Sequence, residues 1–374
     1  MGALVSDVVV IGAGMVGAAC AYYAARAGLD VTVVDRGPVA GGTSGAGEGN
    51  LLVSDKPPGP ELDLMLVSLA RWAELDADVG GFEFEHKGGL MVAATAAGVA
   101  ELNALVEAHR ALGVQAELVD DAREREPELA PGLAGGAFYP QDAQVQPALA
   151  AARLLHAAGL AVRTGEVTGL DLRGDRVVGV RLGDDVIPAE HVVNAAGVWS
   201  GELSRAFGAP VPIEPRRGFV LVTEPMPPII RHKVYAAEYV ADVASGDADL
   251  QASAVVEGTP AGPILIGASR ERVGFDAGRP LGVLRRLAAQ AVALFPVLAG
   301  VHTLRAYRGF RPYCADHLPI IGPDPRRPGL FHACGHEGAG IGLAPATGEL
   351  IAALITGTPP ALDPAPYAAV RFAA

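Results

Sequence analysis

The start of the chain carries a pattern that few folds accommodate. Residues 7–11, DVVVI, predict a buried strand, and a glycine turn with the sequence GAGMVG follows at 12–17. An Ala-rich helix comes next and stops at Gly28, and residues 31–34, VTVV, predict a second buried strand that ends in Asp35. Strand, glycine turn, helix, strand and acid in this order predict the βαβ unit that binds a dinucleotide.

The glycines of this turn have separate predicted roles. Gly12 permits the tight turn, Gly14 lets the backbone approach a pyrophosphate, and Gly17 lets the helix pack closely on the strand. The helix N-terminus offers positive partial charge to the phosphates, and Asp35 suits the ribose hydroxyls. A helix–strand pair that merely needs small residues is the alternative interpretation. The predicted cofactor contacts in this unit are Gly12, Gly14, Met15, Val16, Gly17, Asp35 and Arg36.

The same segment could also be interpreted as a signal peptide or a membrane span, because residues 8–25 carry no charge. A signal peptide needs Lys or Arg before its apolar run, and none precedes this one. Three glycines also interrupt the run, so a strand, a turn and a helix explain it better than a single membrane span.

Composition limits the classes of protein to which the chain can belong. Its 374 residues suggest about two domains, and half of them are hydrophobic. A net charge of −13 argues against a nucleic-acid binder, which needs a basic surface. The three cysteines form no disulfide framework and no CxxC pair, which fits a reducing cytoplasm. The histidines show no ligand spacing, so we expect no metal.

Residues 36–50, RGPVAGGTSGAGEGN, form a second glycine-rich segment. Its glycines expose backbone amides, and the hydroxyls of Thr43 and Ser44 can donate to phosphate oxygens. Taken alone, a flexible surface loop is an equally good interpretation. The βαβ unit serves FAD and NAD alike, so the later motifs decide between a flavoprotein and an NAD(P)-binding protein.

Four segments in the right order resemble the D-amino-acid oxidase superfamily. GGTSGAGEGN at 41–50 resembles its second pyrophosphate and flavin loop, and VVNAAGVWS at 192–200 its strand-and-turn flavin motif. RGFRPYCADHLPIIG at 308–322 and GHEGAGIGLAPATG at 335–348 are similar to its Arg-Pro segment and its C-terminal flavin-ring motif. The resemblance covers nearly the whole chain and implies FAD as the cofactor.

Two further segments narrow the resemblance. RGFVLVTEP at 217–225 and LIGASRERVGFD at 265–276 are similar to glycine oxidase relatives. They are more closely similar to the FAD subunits of dye-linked amino-acid dehydrogenases, a subgroup with hydroxyproline and L-proline dehydrogenases, opine oxidases and hydrogen cyanide synthase. The resemblance implies oxidation of the C–N bond of an amino acid or secondary amino acid by hydride transfer from Cα to flavin N5. The alternative is an FAD subunit that is active only with partner subunits.

The motifs and the resemblance together give the remaining cofactor contacts. Val167 rests on the resemblance alone, because a backbone contact with adenine has no side-chain pattern. Some relatives attach the flavin through Cys, but Cys314 and Cys334 do not match their spacing, so we expect noncovalent FAD. The further predicted contacts are Thr43, Ser44, Gly49, Asn50, Val167, Ala196, Gly197, Trp199, Gly335, Gly338, Gly340 and Ile341.

Pro345 predicts where the last long helix begins. Proline lacks an N–H and clashes with the carbonyl four residues back, so it belongs in a first turn. We therefore expect the helix to begin near Ile341 or Gly342, to run to Ile355 and to stop at Gly357. Its N-terminus would stabilise negative charge on the reduced flavin.

The predicted fold class is mixed α/β, with a Rossmann-like FAD-binding domain interleaved with an antiparallel-sheet substrate domain. The FAD-binding domain would take residues 1–55, 140–215 and 305–374, and the substrate domain 56–139 and 216–304. Residues 234–240 predict a strand of the second domain. Residues 241–262, acidic and small, predict a loop.

Arg311 is the candidate for the substrate carboxylate. It stands at the Arg of the Arg-Pro motif, which holds the substrate carboxylate in glycine oxidases, so the resemblance implies this role for Arg311. A planar guanidinium suits the role because it holds a carboxylate by two hydrogen bonds. The alternative role is an ion pair with Asp316, five residues on. Arg308 and Arg270 are weaker candidates for the carboxylate.

Tyr239 and His336 are weaker catalytic candidates. Tyr235 and Tyr239 would share one face of a strand and could close the pocket with a hydroxyl. His336 could act as a base, although a structural hydrogen bond is the more ordinary role in a glycine-rich loop. Oxygen, a quinone or a partner redox subunit would accept the electrons. A homo-oligomer or hetero-oligomer fits the subgroup, as does a cytoplasmic site or one held at the inner membrane by partners.

Overall fold

The computed structural model describes residues 5–237, 239–240 and 246–372. Its fold is mixed α/β, as predicted, with two large sheets and helices packed on them. The strands are β1 Ser6–Ile11, β2 Val31–Asp35, β3 Asn50–Leu51, β4 Gly89–Ala93, β5 Glu117–Val119, β6 Gly135–Tyr139, β7 Ala143–Gln144, β8 Val162–Thr164, β9 Val167–Arg173, β10 Arg176–Leu182, β11 Asp185–Asn194, β12 Ile213–Pro225, β13 Lys233–Ala236, β14 Gln251–Gly258, β15 Pro263–Arg270, β16 Thr303–Cys314, β17 Ile320–Pro323 and β18 Leu330–Cys334. The helices are α1 Met15–Arg26, α2 Pro60–Asp78, α3 Ala96–Ala111, α4 Pro147–Ala157, α5 Ser200–Ala206, α6 Leu281–Leu294 and α7 Gly340–Thr356.

The first sheet contains the predicted βαβ unit. Its strands run in the order β17-β18-β11-β1-β2-β8, and β18, β11, β1, β2 and β8 are parallel. Val8 and Val10 of β1 are fully buried, and so is Val9 between them. Val8 and Val10 pack in the cluster that contains α1, whereas Val9 packs in a second cluster with side chains of β9 and β10. Both faces of this strand are therefore covered, which explains its continuous apolar sequence. Strands β9 and β10 extend β11 as an antiparallel meander.

The second sheet has the order β16-β12-β15-β14-β13-β4-β6-β5. Two predictions on it are wrong. Within 241–262, residues Gln251–Gly258 form strand β14, because their backbone pairs with β13 on one side and β15 on the other and most of their side chains are buried. The strand predicted to reach residue 240 ends at Ala236, and Tyr239 and Val240 are helical. Residues 238 and 241–245 lie outside the described residues.

Strand β16 bears on the predicted domain boundaries. It pairs with β12 from Ile213↔Cys314 to Thr223↔Thr303, and both strands belong to the second sheet. The boundaries placed after residues 215 and 304 therefore cut through the two strands near their ends. The extended pairing joins one strand to the other, because backbone hydrogen bonds make a sheet a single unit.

Helix α7 begins at Gly340, one residue before the predicted start, and ends before Gly357, which has a φ of 74°. Pro345 thus lies in its second turn. Next to the proline, side chains of α2 replace backbone hydrogen bonds of the helix. Ser68 Oγ and Trp72 Nε1 donate to the Gly342 carbonyl at 2.6 and 3.1 Å. Ala346 N–H donates back to Ser68 Oγ. The proline is tolerated because a neighbouring helix replaces the lost bonds.

Helix α7 also packs against α1 at very short range. A Cβ on Gly348 would lie 2.6 Å from the backbone of Ala19, so the two helices meet backbone to backbone. Among the residues that the structure describes, no helix is both long and apolar enough to span a bilayer.

Candidate active site

A cavity of about 580 Å³ lies between the two sheets and reaches from the βαβ turn to β12 and β16. Most of the predicted cofactor contacts line it, and so do all three predicted catalytic candidates. The lining includes Gly12, Gly14, Met15, Val16, Asp35, Arg36, Thr43, Ser44, Gly49, Asn50, Val167, Ala196, Gly197, Trp199, Tyr239, Arg311, His336, Gly338, Gly340 and Ile341.

Two predicted contacts do not line the cavity. A Cβ on Gly17 would lie 1.9 Å from the Gly12 carbonyl oxygen, so this glycine brings α1 against the turn, as its predicted packing role requires. Gly335 has a φ of 79°, and a Cβ there would meet Ile213 at 2.9 Å. It shapes the turn after β18 and is not placed to contact a cofactor.

Backbone amides surround the βαβ end of the cavity. Gly12 has a φ of 114°, and a Cβ there would lie 2.3 Å from the Ala195 carbonyl oxygen. Asp35 accepts the N–H groups of Ala13 and Gly37, both at 2.7 Å. Its carboxylate is therefore fixed in the turn with further lone pairs available, as a ribose contact requires.

The hydroxyls of Thr43 and Ser44 differ in function. Ser44 Oγ accepts the Met15 N–H at 2.9 Å, which leaves its own proton for a phosphate oxygen. Thr43 donates its proton to the Phe310 carbonyl at 2.7 Å. The prediction that Thr43 donates to phosphate is therefore wrong for this conformation, because a hydroxyl has a single proton. Thr43 instead ties the loop to β16.

An aromatic wall closes the end of the cavity beside Asp35 and Arg36. Arg36 lies over the ring of Trp199 at 4.3 Å and pairs with Glu166 at 3.0 Å. Trp199 stacks on Phe275 with the rings 5.9 Å apart and 8° from parallel. Val167, at the start of β9, lines the cavity beside Glu166.

Three glycines leave the cavity face of the second sheet bare. Gly218 and Gly309 pair directly across β12 and β16, and Gly267 lies on β15. A Cβ on Gly218 would lie 2.3 Å from Arg311 Nη1, one on Gly309 2.8 Å from Ala46 Cβ, and one on Gly267 2.2 Å from Glu48 Oε1. The sheet can therefore approach the glycine-rich loop closely. Sequence reasoning missed this face, although the tripeptide Arg-Gly-Phe occurs twice, at 217–219 and 308–310.

Arg311 lies on this bare face. Its Nη1 donates to the Ser269 carbonyl at 2.8 Å, and burial together with nearby Arg270 lowers the pKa of its guanidinium. The alternative ion pair with Asp316 is absent from the described residues, because Asp316 pairs with Arg371 at 3.0 Å. Arg270 lies over the Tyr239 ring at 4.8 Å. Arg308 donates to the Ala277 carbonyl.

Tyr239 and His336 both line the cavity, and their side chains make different contacts. The Tyr239 ring packs on that of Tyr235 at 5.2 Å, although the two residues do not share a strand. His336 Nε2 donates to Thr347 Oγ1 at 3.0 Å, since the Thr347 hydroxyl donates to the Leu343 carbonyl. Burial lowers the pKa of His336 to about 3, so its ring is neutral at physiological pH.

The cavity fits FAD by its own chemistry. Glycines line one half, and the buried Asn50 Oδ1 has no hydrogen-bond partner among the described residues. Such an orphaned acceptor is explained by a ligand that donates to it. Burial raises the pKa of the Cys314 thiol to about 12, and Cys334 is shifted in the same direction. Neither thiol is therefore activated as a nucleophile.

The family model described as "DAO: FAD dependent oxidoreductase" matches residues 7–354 of the chain. The chain belongs to this family of FAD-dependent oxidoreductases. The predictions of FAD as cofactor, of the fold class and of an enzyme that oxidises amino-acid C–N bonds are confirmed.

Individual relatives cover the full chain. A glycine oxidase of Pseudomonas putida is 32% identical over 97% of this chain and 98% of its own length. The hydrogen cyanide synthase subunit HcnC of Pseudomonas aeruginosa is 30% identical over 98% and 96%. The crystal structure of L-proline dehydrogenase from P. horikoshii superposes with a TM-score of 0.90 at 25% identity, over 99% of this chain and 98% of that one.

Proposed function

We propose that the cavity holds an α-amino acid, with a primary or secondary amine, whose carboxylate binds Arg311. The observation that carries this proposal is the position of the Arg311 guanidinium. Of its five N–H groups, one has a protein partner among the described residues, the Ser269 carbonyl, and the side chain lines the cavity. Gly218 leaves the space beside it open. A buried guanidinium with unused donors is suited to a two-pronged bond with a carboxylate.

FAD would lie along the cavity from the βαβ turn to the bare sheet face. When bound, it supplies the acceptor for the hydride that leaves the substrate Cα. The amides around Gly12, Gly14 and Ser44 would hold its phosphates, and Asp35 its ribose. The amides at Gly338, Gly340 and Ile341, before and in the first turn of α7, would offset negative charge at the ring end. We propose noncovalent binding.

The size of the substrate is limited by the neighbours of Arg311. Tyr239, packed on Tyr235 and beneath Arg270, bounds the same end of the cavity. Glycine, the substrate in the name of one relative, and proline, in the name of another, are both compact. We therefore propose a small amino acid, such as glycine, an N-alkyl glycine or proline, as the substrate class. His336, neutral and bonded to Thr347, has a structural role in this proposal.

A substrate screen tests this proposal. Small amino acids with primary and secondary amines are mixed with the purified FAD-loaded protein, with an artificial dye and with oxygen in parallel. At least one of them should bleach the flavin anaerobically, and the faster acceptor would show whether the enzyme is a dehydrogenase or an oxidase. If no amino acid bleaches the flavin, the proposed substrate class is wrong.

Substitution of Arg311 tests its assignment. Arg311→Lys keeps the positive charge but loses the planar pair of donors, so KM should rise about ten-fold or more while FAD binding is spared. Steady-state kinetics and the flavin absorbance of the purified variant give the two readouts. Loss of FAD with an unchanged KM would show that Arg311 serves the cofactor and not the substrate.

The second candidate function is that of an FAD subunit that works only with partners. The likeness to HcnC, named as a subunit, favours it. Anaerobic mixing of the lone chain with the amino acids of the screen separates the two. Bleaching without partners shows that the chain is catalytic alone. A flavin that reoxidises only when cell membranes or a quinone are added would point to a partner or a quinone as electron acceptor.

We also propose which segments of the chain form each domain. The segments that build the first sheet would form the FAD-binding domain, and the second sheet the substrate domain. The predicted boundaries at 55/56 and 139/140 are kept. The boundary at 215/216 moves to the start of β12 and the boundary at 304/305 to the end of β16, since sheet pairing assigns both strands to the substrate side. We further propose a cytoplasmic enzyme, alone or assembled with partners.

A further inference from the structure

Glu48 is an acidic residue in the middle of the glycine-rich loop, and it lines the cavity that Arg311 also lines. It is 8% exposed, and its Oε1 has no hydrogen-bond partner among the described residues. A buried carboxylate without a donor is costly, and native proteins pair such groups or place them for a ligand. None of the functions proposed above uses this side chain.

The second sheet is shaped to receive the Glu48 carboxylate. Gly267 of β15 faces it, and a Cβ there would lie 2.2 Å from Oε1 and within 2.8 Å of Oε2. Any other residue at 267 would push the carboxylate away. Gly267 therefore leaves room for the Glu48 carboxylate, as Gly218 leaves room for the Arg311 guanidinium.

The neighbouring charges leave Glu48 without a committed partner. Glu257 of β14 lies near it, but Lys233 Nζ and Gln144 Nε2 already donate to Glu257. Tyr307 and Arg311 of β16 are the other titratable groups that sense the Glu48 charge. Arg311 binds the Ser269 carbonyl, and no ion pair joins it to Glu48. The acid and the guanidinium thus stand in one cavity as separate charges of opposite sign.

We infer that Glu48 binds the ammonium of the amino acid whose carboxylate Arg311 holds. An amino acid at neutral pH carries both charges, and its N–H groups are the donors that Glu48 lacks. Two charged anchors on opposite walls of one cavity, Glu48 on the glycine-rich loop and Arg311 on the sheet, would fix both the position and the direction of the Cα between them, since each anchor binds only one end of the amino acid. The inference rests on the proposed function, and it assigns to Glu48 a preference for amines that Arg311 alone cannot provide.

Calorimetric titration of the FAD-loaded protein with two matched ligands tests this inference. The ligands are 2-aminoisobutyrate, whose Cα bears no hydrogen and cannot lose a hydride, and isobutyrate, which lacks the amine. The wild type should bind 2-aminoisobutyrate about ten-fold more tightly, as one charge-assisted hydrogen bond implies. Glu48→Gln should bind it about ten-fold more weakly than the wild type does and bind isobutyrate unchanged. Glu101→Gln, on exposed α3, is the matched control and should keep the preference.

Three outcomes overturn the inference. The first is that the wild type shows no preference for the amine, and the second is that Glu48→Gln keeps the preference. The third is that Glu48→Gln weakens the binding of both ligands equally, which would mean that Glu48 only positions Arg311. Glu48→Asp is a second variant that keeps the charge and should retain part of the preference. If neither variant retains FAD, the test rests on whether the wild type binds 2-aminoisobutyrate more tightly than isobutyrate. The substrate screen tests the proposed function separately. If an amino acid bleaches the flavin but the wild type shows no preference for the amine, this inference is wrong and the proposed function stands.

Discussion

Gly218 and Gly309 are the residues on which the geometry of the site depends most directly. Each is the centre of an Arg-Gly-Phe tripeptide, and the two tripeptides pair antiparallel so that glycine meets glycine. The flanking Phe219 packs in the core on the far face of the second sheet, while the glycines face the cavity. Alternation along β12 thus places bulk on one face and free space on the other.

A single methyl group at Gly218 should disturb substrate binding. Its Cβ would lie 2.3 Å from Arg311 Nη1 and 2.4 Å from the Ser269 carbonyl oxygen, so Gly218→Ala must displace the guanidinium. We expect kcat/KM to fall by about 10²-fold, the effect of misplacing a positioning group by about 1 Å. Steady-state kinetics measure it.

The control for this variant is Gly282→Ala. A Cβ at this position in α6 would meet nothing within 4 Å, so neither kinetics nor FAD content should change. If Gly218→Ala has normal kinetics, the described position of Arg311 is wrong.

At the scale of elements, the approach of α1 to the turn after β1 decides how the phosphates are held. Gly17→Ala would place a Cβ 1.9 Å from the Gly12 carbonyl oxygen and force the helix outward. The amides at its N-terminus would then leave the cavity, and we expect FAD affinity to fall by about ten-fold or more. Fluorescence titration of the apoprotein with FAD measures the change. Gly282→Ala again serves as control, and unchanged FAD affinity of Gly17→Ala would contradict this account.

At the scale of the whole molecule, the second sheet is joined to the segments that flank the short β3–β7 sheet by a buried polar network around Asp142. Asp142 is fully buried and accepts the Val53 N–H at 2.8 Å and the Ser54 hydroxyl, and Ser54 also bonds Tyr235. Burial raises the pKa of the Asp142 carboxyl to about 7. Because the unfolded chain ionises near pH 4, the unfolded state is favoured progressively as pH rises from about 4 to about 7.

The variant Asp142→Asn should remove this dependence. Its amide keeps the Val53 bond and can donate to Ser54, but it cannot ionise. Between pH 5.5 and pH 7 the stability of the variant relative to the parent should rise by up to about 2 kcal/mol, since one pKa unit is worth about 1.4 kcal/mol. Thermal unfolding of the FAD-loaded proteins at both pH values checks it. A relative stability that stays flat or falls would show that Asp142 is already ionised at the lower pH.

Local sequence was enough for the elements whose geometry is set by neighbours along the chain. The run Val8–Val10, the Gly12–Gly17 turn and Asp35 specify a strand, a turn and a helix, and the structure has all three. Pro345 located α7 to within one or two residues. The missed start has a tertiary contribution, since Ser68 of α2 bridges the Gly342 carbonyl and the Ala346 N–H, the helical pair next to the proline.

What only the tertiary structure decided concerns contacts between distant segments. The Thr43 hydroxyl, the bare face at Gly218, Gly267 and Gly309, and the unpartnered Glu48 all depend on strands far apart in sequence meeting at one cavity. Residue types in a loop do not show which atom a hydroxyl or a carboxylate will face. The sequence by itself therefore determined the βαβ unit, because this unit follows from local backbone geometry, and the resemblance of its later motifs to the D-amino-acid oxidase superfamily indicated the flavin. The tertiary structure decided where the charges stand around the substrate, because those positions follow from packing.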